Sequence, residues 1–121
     1  MTYLKRYQRG EHREVWGELI SAGPDVWESS LAQDAMDVAM ATMERVHRNL
    51  ERLHGRLVQL GYEFADPDAA FVTARADAEG RIAVLEEQHG RLPISGRAWF
   101  RTFQSVTFEQ SEKQMRGDHG P

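Results

Sequence analysis

The chain has no cysteine, which excludes disulfides, thiolate nucleophiles and zinc sites built on cysteine ligands. That absence fits a reducing cytoplasm. There is no run near the roughly 20 apolar residues that cross a bilayer. The N-terminus carries Lys5, Arg6, Arg9, Glu11, His12 and Arg13 with no apolar run behind them, so it does not read as a signal peptide. A strong positive balance is also missing: 19 acidic against 15 basic side chains leave a net charge of −4, and the two halves are alike. Neither half offers the broad positive field of a nucleic-acid binder.

Catalytic and metal-binding patterns are equally absent. There is no HExxH, no DxD and no tight His/Asp cluster. His47 and His54 stand seven residues apart, about 10 Å of helical rise, too far for one metal to reach both. Ser95 precedes Gly96 without the strand–turn–helix setting of a hydrolase nucleophile. Adjacent Glu86 and Glu87 point in different directions on a helix. The glycines form no phosphate-cradling run. The residues therefore predict no enzyme, no cofactor and no metal.

What the chain does have is helical periodicity. With 121 residues, 40% of them apolar and 28% charged, it has the size and composition of one modest soluble domain spanning 1–121. The core of so short a chain is thin, and a partner subunit would help to cover it. Residues 1–10 read as a basic lead-in packing through Tyr3, Leu4 or Tyr7. A first helix is predicted over 11–21, with His12, Val15, Trp16, Leu19 and Ile20 on one face, stopped by Gly23-Pro24. Capping boxes are offered by Asp25 with Glu28 and by Ser30 with Gln33.

The strongest pattern lies between Leu31 and Leu60. Met36, Met43, Leu50 and Leu57 recur every seven residues, and Ala39, Val46, Leu53 and Leu60 interleave with them. This seam lets a helix pack along its whole length against another helix. Such a rod is roughly 45 Å long, and the first helix is about a third of that, so something else must cover the remainder. Gly61 suits the residue that ends the rod.

Beyond it, Asp66-Pro67-Asp68 reads as a turn and 69–76 as a loop. A third helix is predicted over 77–89, burying Ala78, Ile82, Leu85 and Val84, and ending at Gly90. A fourth runs from a Ser95 cap to Phe103. Val106-Thr107-Phe108 alternates as a strand would, with no evident partner, and 109–121 reads as a disordered tail. The expected fold is mostly α, a long amphipathic helix packed with three shorter helices, with one short terminal strand.

Two surfaces stand out for binding. Arg45, Arg48, Arg52 and Arg56 follow at spacings of 3, 4 and 4 and share a face. That face reads as a solvated flank, as a site for an acidic protein, or as a phosphate site. Glu44 lies one turn before Arg48, the spacing of an ion pair. The aromatic residues Trp99, Phe100, Phe103 and Phe108 read as core, or as a patch shared with a partner.

Residues 82–108 resemble the opening of the SMI1/KNR4-like (SUKH) family. That opening has a helix ending in a Leu-Glu pair and a Gly, then Leu-Pro, then a helix with an Arg and an aromatic pair, then a Gly and the first strand. Here the corresponding residues are Leu85, Glu86, Gly90, Leu92, Pro93, Arg97, Trp99, Phe100 and the strand 106–108. Gln104 stands where the family has its second Gly. The helical extension ending in Leu60-Gly61-Tyr62 looks like one found on some uncharacterised bacterial members. The family domain continues into a several-stranded sheet and this chain does not, so it is similar to a truncated member. The resemblance implies an interaction module, either an immunity-type protein binding a toxin or a regulatory scaffold.

The combined expectation is a non-catalytic protein-binding module using Arg45, Arg48, Arg52, Arg56, Arg97, Trp99, Phe100, Phe103 and Phe108. Its partner would be another protein, with no membrane role. The alternatives are a helical homodimer pairing through the seam, and a weak anion or nucleic-acid binder using the arginines.

Overall fold

A computed structural model describes residues 1–74 and 76–116, the side chains of Asp25, Trp27, Glu28 and Phe71 excepted. Its elements follow the apolar periodicity. Helix α1 spans Tyr3–Gln8 and α2 His12–Ala22, followed by a 3-10 turn at Gly23–Glu28. The long helix α3 covers Ala32–Gln59, a 28-residue rod of roughly 42 Å. After a 3-10 turn at Pro67–Ala69 come strand β1 (Phe71–Thr73), helix α4 (Ala78–His89), helix α5 (Ile94–Thr102), strand β2 (Phe103–Val106) and helix α6 (Glu112–Met115).

The first half of α3 is the centre of the core. Ala35, Met36, Val38 and Ala39 are buried there. Val38 and Ala35 join Tyr7, Val15, Leu19 and Val26 in one apolar cluster, while Met36 and Ala39 meet Ala98 of α5 in a second. Polar contacts fix the same neighbours. The Trp16 indole N–H donates to the Thr42 hydroxyl at 3.0 Å. The Asp34 carboxylate accepts from the backbone N–H groups of Tyr3 (2.7 Å) and Leu4 (3.1 Å). Those amides begin α1 and have no partner within it, so a residue of α3 caps α1 from the side. Arg6 then ties α1 to α2 by ion pairs to Glu18 (2.5 Å) and Glu11 (3.4 Å). Its hydrogen bond holds the Glu18 carboxyl below the ordinary carboxylate range.

The glycine stops behave as the sequence indicates. Gly61 (φ +86) and Gly90 (φ +87) take the left-handed backbone that ends α3 and α4. The caps at the other ends do not. The residue before α3 is Leu31, without a side-chain cap; instead the Ser29 hydroxyl accepts from the Leu31 N–H at 3.1 Å. The Ser30–Gln33 box does not form, and the Asp25 side chain lies outside the described residues. Ser95 does not cap α5, which starts one residue earlier behind Pro93. Pro93 stands at the N-cap, and no side chain caps the first turn of α5.

The C-terminal third departs most from expectation. The stretch expected to be a loop supplies β1, which pairs antiparallel with β2 through Phe71↔Val106, Val72↔Ser105 and Thr73↔Phe103. Gln104 is the residue skipped between the last two pairs, at a bulge. Pairing continues outside the strands: Thr107 N–H donates to Ala70 O (2.9 Å), Ala65 N–H to Glu109 O (2.8 Å) and Ser111 N–H to Glu63 O (2.7 Å). The strand expected to be alone therefore lies earlier, at 103–106, and has a partner upstream.

The segment expected to be a disordered tail folds back as far as Arg116. Ser111 caps α6 by accepting from Gln114 N–H. The Gln114 amide in turn accepts from Glu63 N–H (2.6 Å) and donates to Gly61 O (2.7 Å). Residues 117–121 lie outside the described ones. Among the described residues, five shorter α-helices accompany α3, rather than three.

Candidate protein-binding face

Three elements flank α3, and they do not reach equally far. Helix α5 and β2 run alongside it in the same direction: Ile94 lies near Met36, and the Phe103 ring stacks on His47 (5.9 Å). The chain beyond continues that cover, with His54 stacked on Phe64 at 4.6 Å and edge-on to Phe108 at 6.0 Å. The two histidines are thus aromatic packing groups on one flank of the rod. Helix α2 runs the opposite way. It starts beside Arg45, whose guanidinium meets His12 Nδ1 at 3.1 Å, and it ends near Ala35. Nothing from α1 or α2 continues past that start.

The seam is consequently covered over its first half and open over its second. Leu53 is 46% and Leu60 79% exposed, and Val46, Leu50 and Leu57 are only half-buried. These five residues sit at spacings of 4, 3, 4 and 3, which places them on one stripe. The expectation of a seam packed along its whole length is corrected accordingly. Two further apolar positions expected inside are also out: Ile20 is 72% and Val84 53% exposed, because α2 and α4 are each covered on one side only.

The arginine row divides in the same way. Arg45 donates to the Tyr7 hydroxyl at 3.0 Å and lies over its ring, so it braces α1 against α3. Arg48, Arg52 and Arg56 are exposed. None of these three makes an ion pair or side-chain hydrogen bond among the described residues. The anticipated Glu44–Arg48 pair does not form. Glu51, three residues after Arg48, instead lies 3.1 Å from His47. Arg56 is three residues after Leu53 and four before Leu60, so it borders both on the helix surface.

The remaining candidates are used by the fold. Arg97 pairs with Glu86, linking α5 to α4. Leu92 N–H also donates to Glu86 (2.8 Å). The Leu92 amide, Arg97 and Arg91 hold this carboxyl below the ordinary range, the amide foremost. Phe103 is fully buried, so it cannot meet a partner. Trp99, tilted against Phe103 at 4.6 Å, Phe100 and Phe108 are half-buried. Sequence reasoning placed the aromatic cluster on the binding list and left Leu53 and Leu60 in the core. The available signal was length, since an eleven-residue α2 cannot cover a rod of 28.

A concavity of about 540 Å³ lies between α2, the following 3-10 turn and the Leu92-Pro93 loop. Trp16, Leu19, Ile20, Val26, Pro93 and Ile94 make it apolar, and Arg91 and Ser95 stand among its lining. Among the described residues that line it there is no nucleophile with a base and no pair of carboxylates. Among the described residues no group of three His, Asp or Glu is placed to hold a metal ion, and no helix is long and apolar enough to cross a membrane. In comparison with known proteins, the chain matches no family model, no curated protein and no solved structure.

Proposed function

We propose that the chain is a non-catalytic protein-binding module that docks a partner on the open leucine stripe of the second half of α3. The observation that carries this reading is the open stripe through Leu53 and Leu60, bordered by the exposed Arg56. Contiguous apolar surface bordered by polar groups marks interaction sites, and arginine is enriched where proteins meet. The resemblance of residues 82–108 to the opening of an SMI1/KNR4-like domain supports the same class. It adds an immunity-type or scaffold role, with a toxin as one such partner. The order helix, Gly90, Leu92-Pro93, helix, strand is consistent with that resemblance.

The test is affinity capture with the wild type and a Leu53→Asp/Leu60→Asp variant. Leu60 is 79% and Leu53 46% exposed, so the variant should remain folded, which its melting curve checks. A protein held one-to-one by the wild type and lost by the variant supports the reading. Retention by both in equal amount overturns it. A second reading, a homodimer through the same stripe, draws on the heptad spacing of the open residues. Sedimentation showing a monomer at tens of micromolar removes it.

A further inference from the structure

We infer that the apolar concavity beside α2 is a binding site for a small carboxylate with a single apolar tail, the tail lying on Trp16, Leu19 and Val26 and the carboxylate meeting Arg91. Its α3 wall is Ala35, about 16 Å along the rod before Val46 and the open leucine stripe. The site therefore goes beyond the docking role proposed above and does not depend on it.

The floor is part of the core. Leu19, Val26 and Ala35 are buried and belong to one apolar cluster, so their positions are set without a ligand. The Trp16 indole is held by its hydrogen bond to Thr42 (3.0 Å) and makes a fixed wall. Across the cleft from α2, Ile94 packs against both core clusters. Ile20 stands at the lip, 72% exposed. A volume of about 540 Å³ is that of a small-molecule site, and such sites are apolar, largely preformed and carry a few polar groups that orient the ligand.

The polar groups are gathered on one side. Arg91 and Ser95 flank the entry into α5, and among the described lining residues Arg91 is the one charged side chain. Its neighbour Glu86 does not cancel that charge. The Glu86 carboxylate also pairs with Arg97, so two guanidiniums stand against one carboxylate at this corner. A guanidinium takes a carboxylate in a planar, two-pronged geometry, and a hydroxyl adds a further donor. A simple anion would use this rim and leave the apolar floor in water. A hydrocarbon would cover the floor and leave the rim unused, and a tailed cation would be repelled by Arg91. A tailed carboxylate satisfies both.

Calorimetric titration of the full chain with acetate, hexanoate, octanoate, decanoate and decyltrimethylammonium tests this. Decanoate should bind below about 1 mM, with affinity rising about threefold for each CH2 added from hexanoate onward. Acetate should bind at least about tenfold more weakly, and the decyl ammonium about fivefold more weakly. Arg91→Glu should weaken decanoate about fivefold and abolish its advantage over the ammonium. Ile20→Asp should weaken decanoate by at least as much. Both side chains are exposed, so the melting curves should match the wild type, and either variant decides by itself.

No decanoate binding at about 1 mM overturns the inference. An ammonium bound as tightly as decanoate makes the cleft merely apolar and overturns it. Acetate bound as tightly reduces it to a surface anion contact and does the same. Decanoate binding that Arg91→Glu and Ile20→Asp leave intact, or that Leu53→Asp/Leu60→Asp abolishes, puts the ligand elsewhere and also overturns it. If that double leucine variant keeps decanoate but loses its captured protein, cleft and stripe stand as separate sites. If it keeps both, the cleft stands and only the docking stripe falls.

Discussion

Leu53 and Ile82 both occupy apolar positions of regular helical patterns, yet Leu53 is 46% exposed and Ile82 only 2%. Truncating Ile82 to alanine removes buried carbon and leaves a cavity, at a cost of about 2–5 kcal/mol. Truncating Leu53 removes atoms that water already reaches, so the cost stays within about 1 kcal/mol. Urea unfolding of the two variants separates them, and equal losses would place Leu53 in the core. Glu86 shows the same dependence on surroundings through its charge. Its folded carboxyl titrates below the unfolded one because the Leu92 amide, Arg97 and Arg91 favour the anion. Stability from this group is therefore complete above the ordinary carboxylate range and disappears as the pH falls through the lowered folded value. Glu86→Gln should be less stable at neutral pH and should lose less of its remaining stability on acidification. Parallel pH–stability curves would contradict this. Residue type announced the charge of Glu86 but not its partners, since the Leu92 amide comes to it only through the chain reversal at Gly90.

Helices were legible in the sequence wherever one side of the pattern is apolar. Hence α2, α3, α4 and α5 lie close to where periodicity puts them, and Gly61 and Gly90 end two of them. Strand β1 was not legible, because three residues within an alanine-rich stretch carry no period of their own; its definition comes from β2, some thirty positions away. Helix α6 escaped notice for a related reason. Its four residues gain order from Gln114, which bonds to both Gly61 and Glu63. Gln114→Ala leaves that amide and that carbonyl to water, at a cost of about 0.5–1.5 kcal/mol. It should also speed amide exchange at Ser111, whose N–H donates to Glu63 O, leaving exchange at Val38 as in the wild type. Unchanged exchange at Ser111 would show that the backbone ladder holds α6 without the glutamine.

Across the whole molecule, cover along α3 is graded, and its dynamics should follow. Near Val38 and Ala39 the rod has α1, α2 and α5 around it, and opening its backbone there exposes the core clusters. Past Arg45 the α2 side is bare, and cover comes from the aromatic flank at His47 and His54. The last turns before Gly61 carry Leu60 almost wholly in water. Local opening costs little where few apolar contacts are lost, so hydrogen exchange should be slowest at 35–42 and accelerate steadily toward 56–59. The gradient gives the binding proposal a physical readout. A partner seated on Val46, Leu50, Leu53, Leu57 and Leu60 supplies the missing cover, so the captured protein should slow exchange selectively over 46–59. The residues near Val38 already open only with the core, and they should gain only as much as binding stabilises the whole fold. Slowing confined to 35–42 would place the partner in the cleft beside α2, and a gradient that the partner leaves untouched would mean that the open half of α3 is not where it sits.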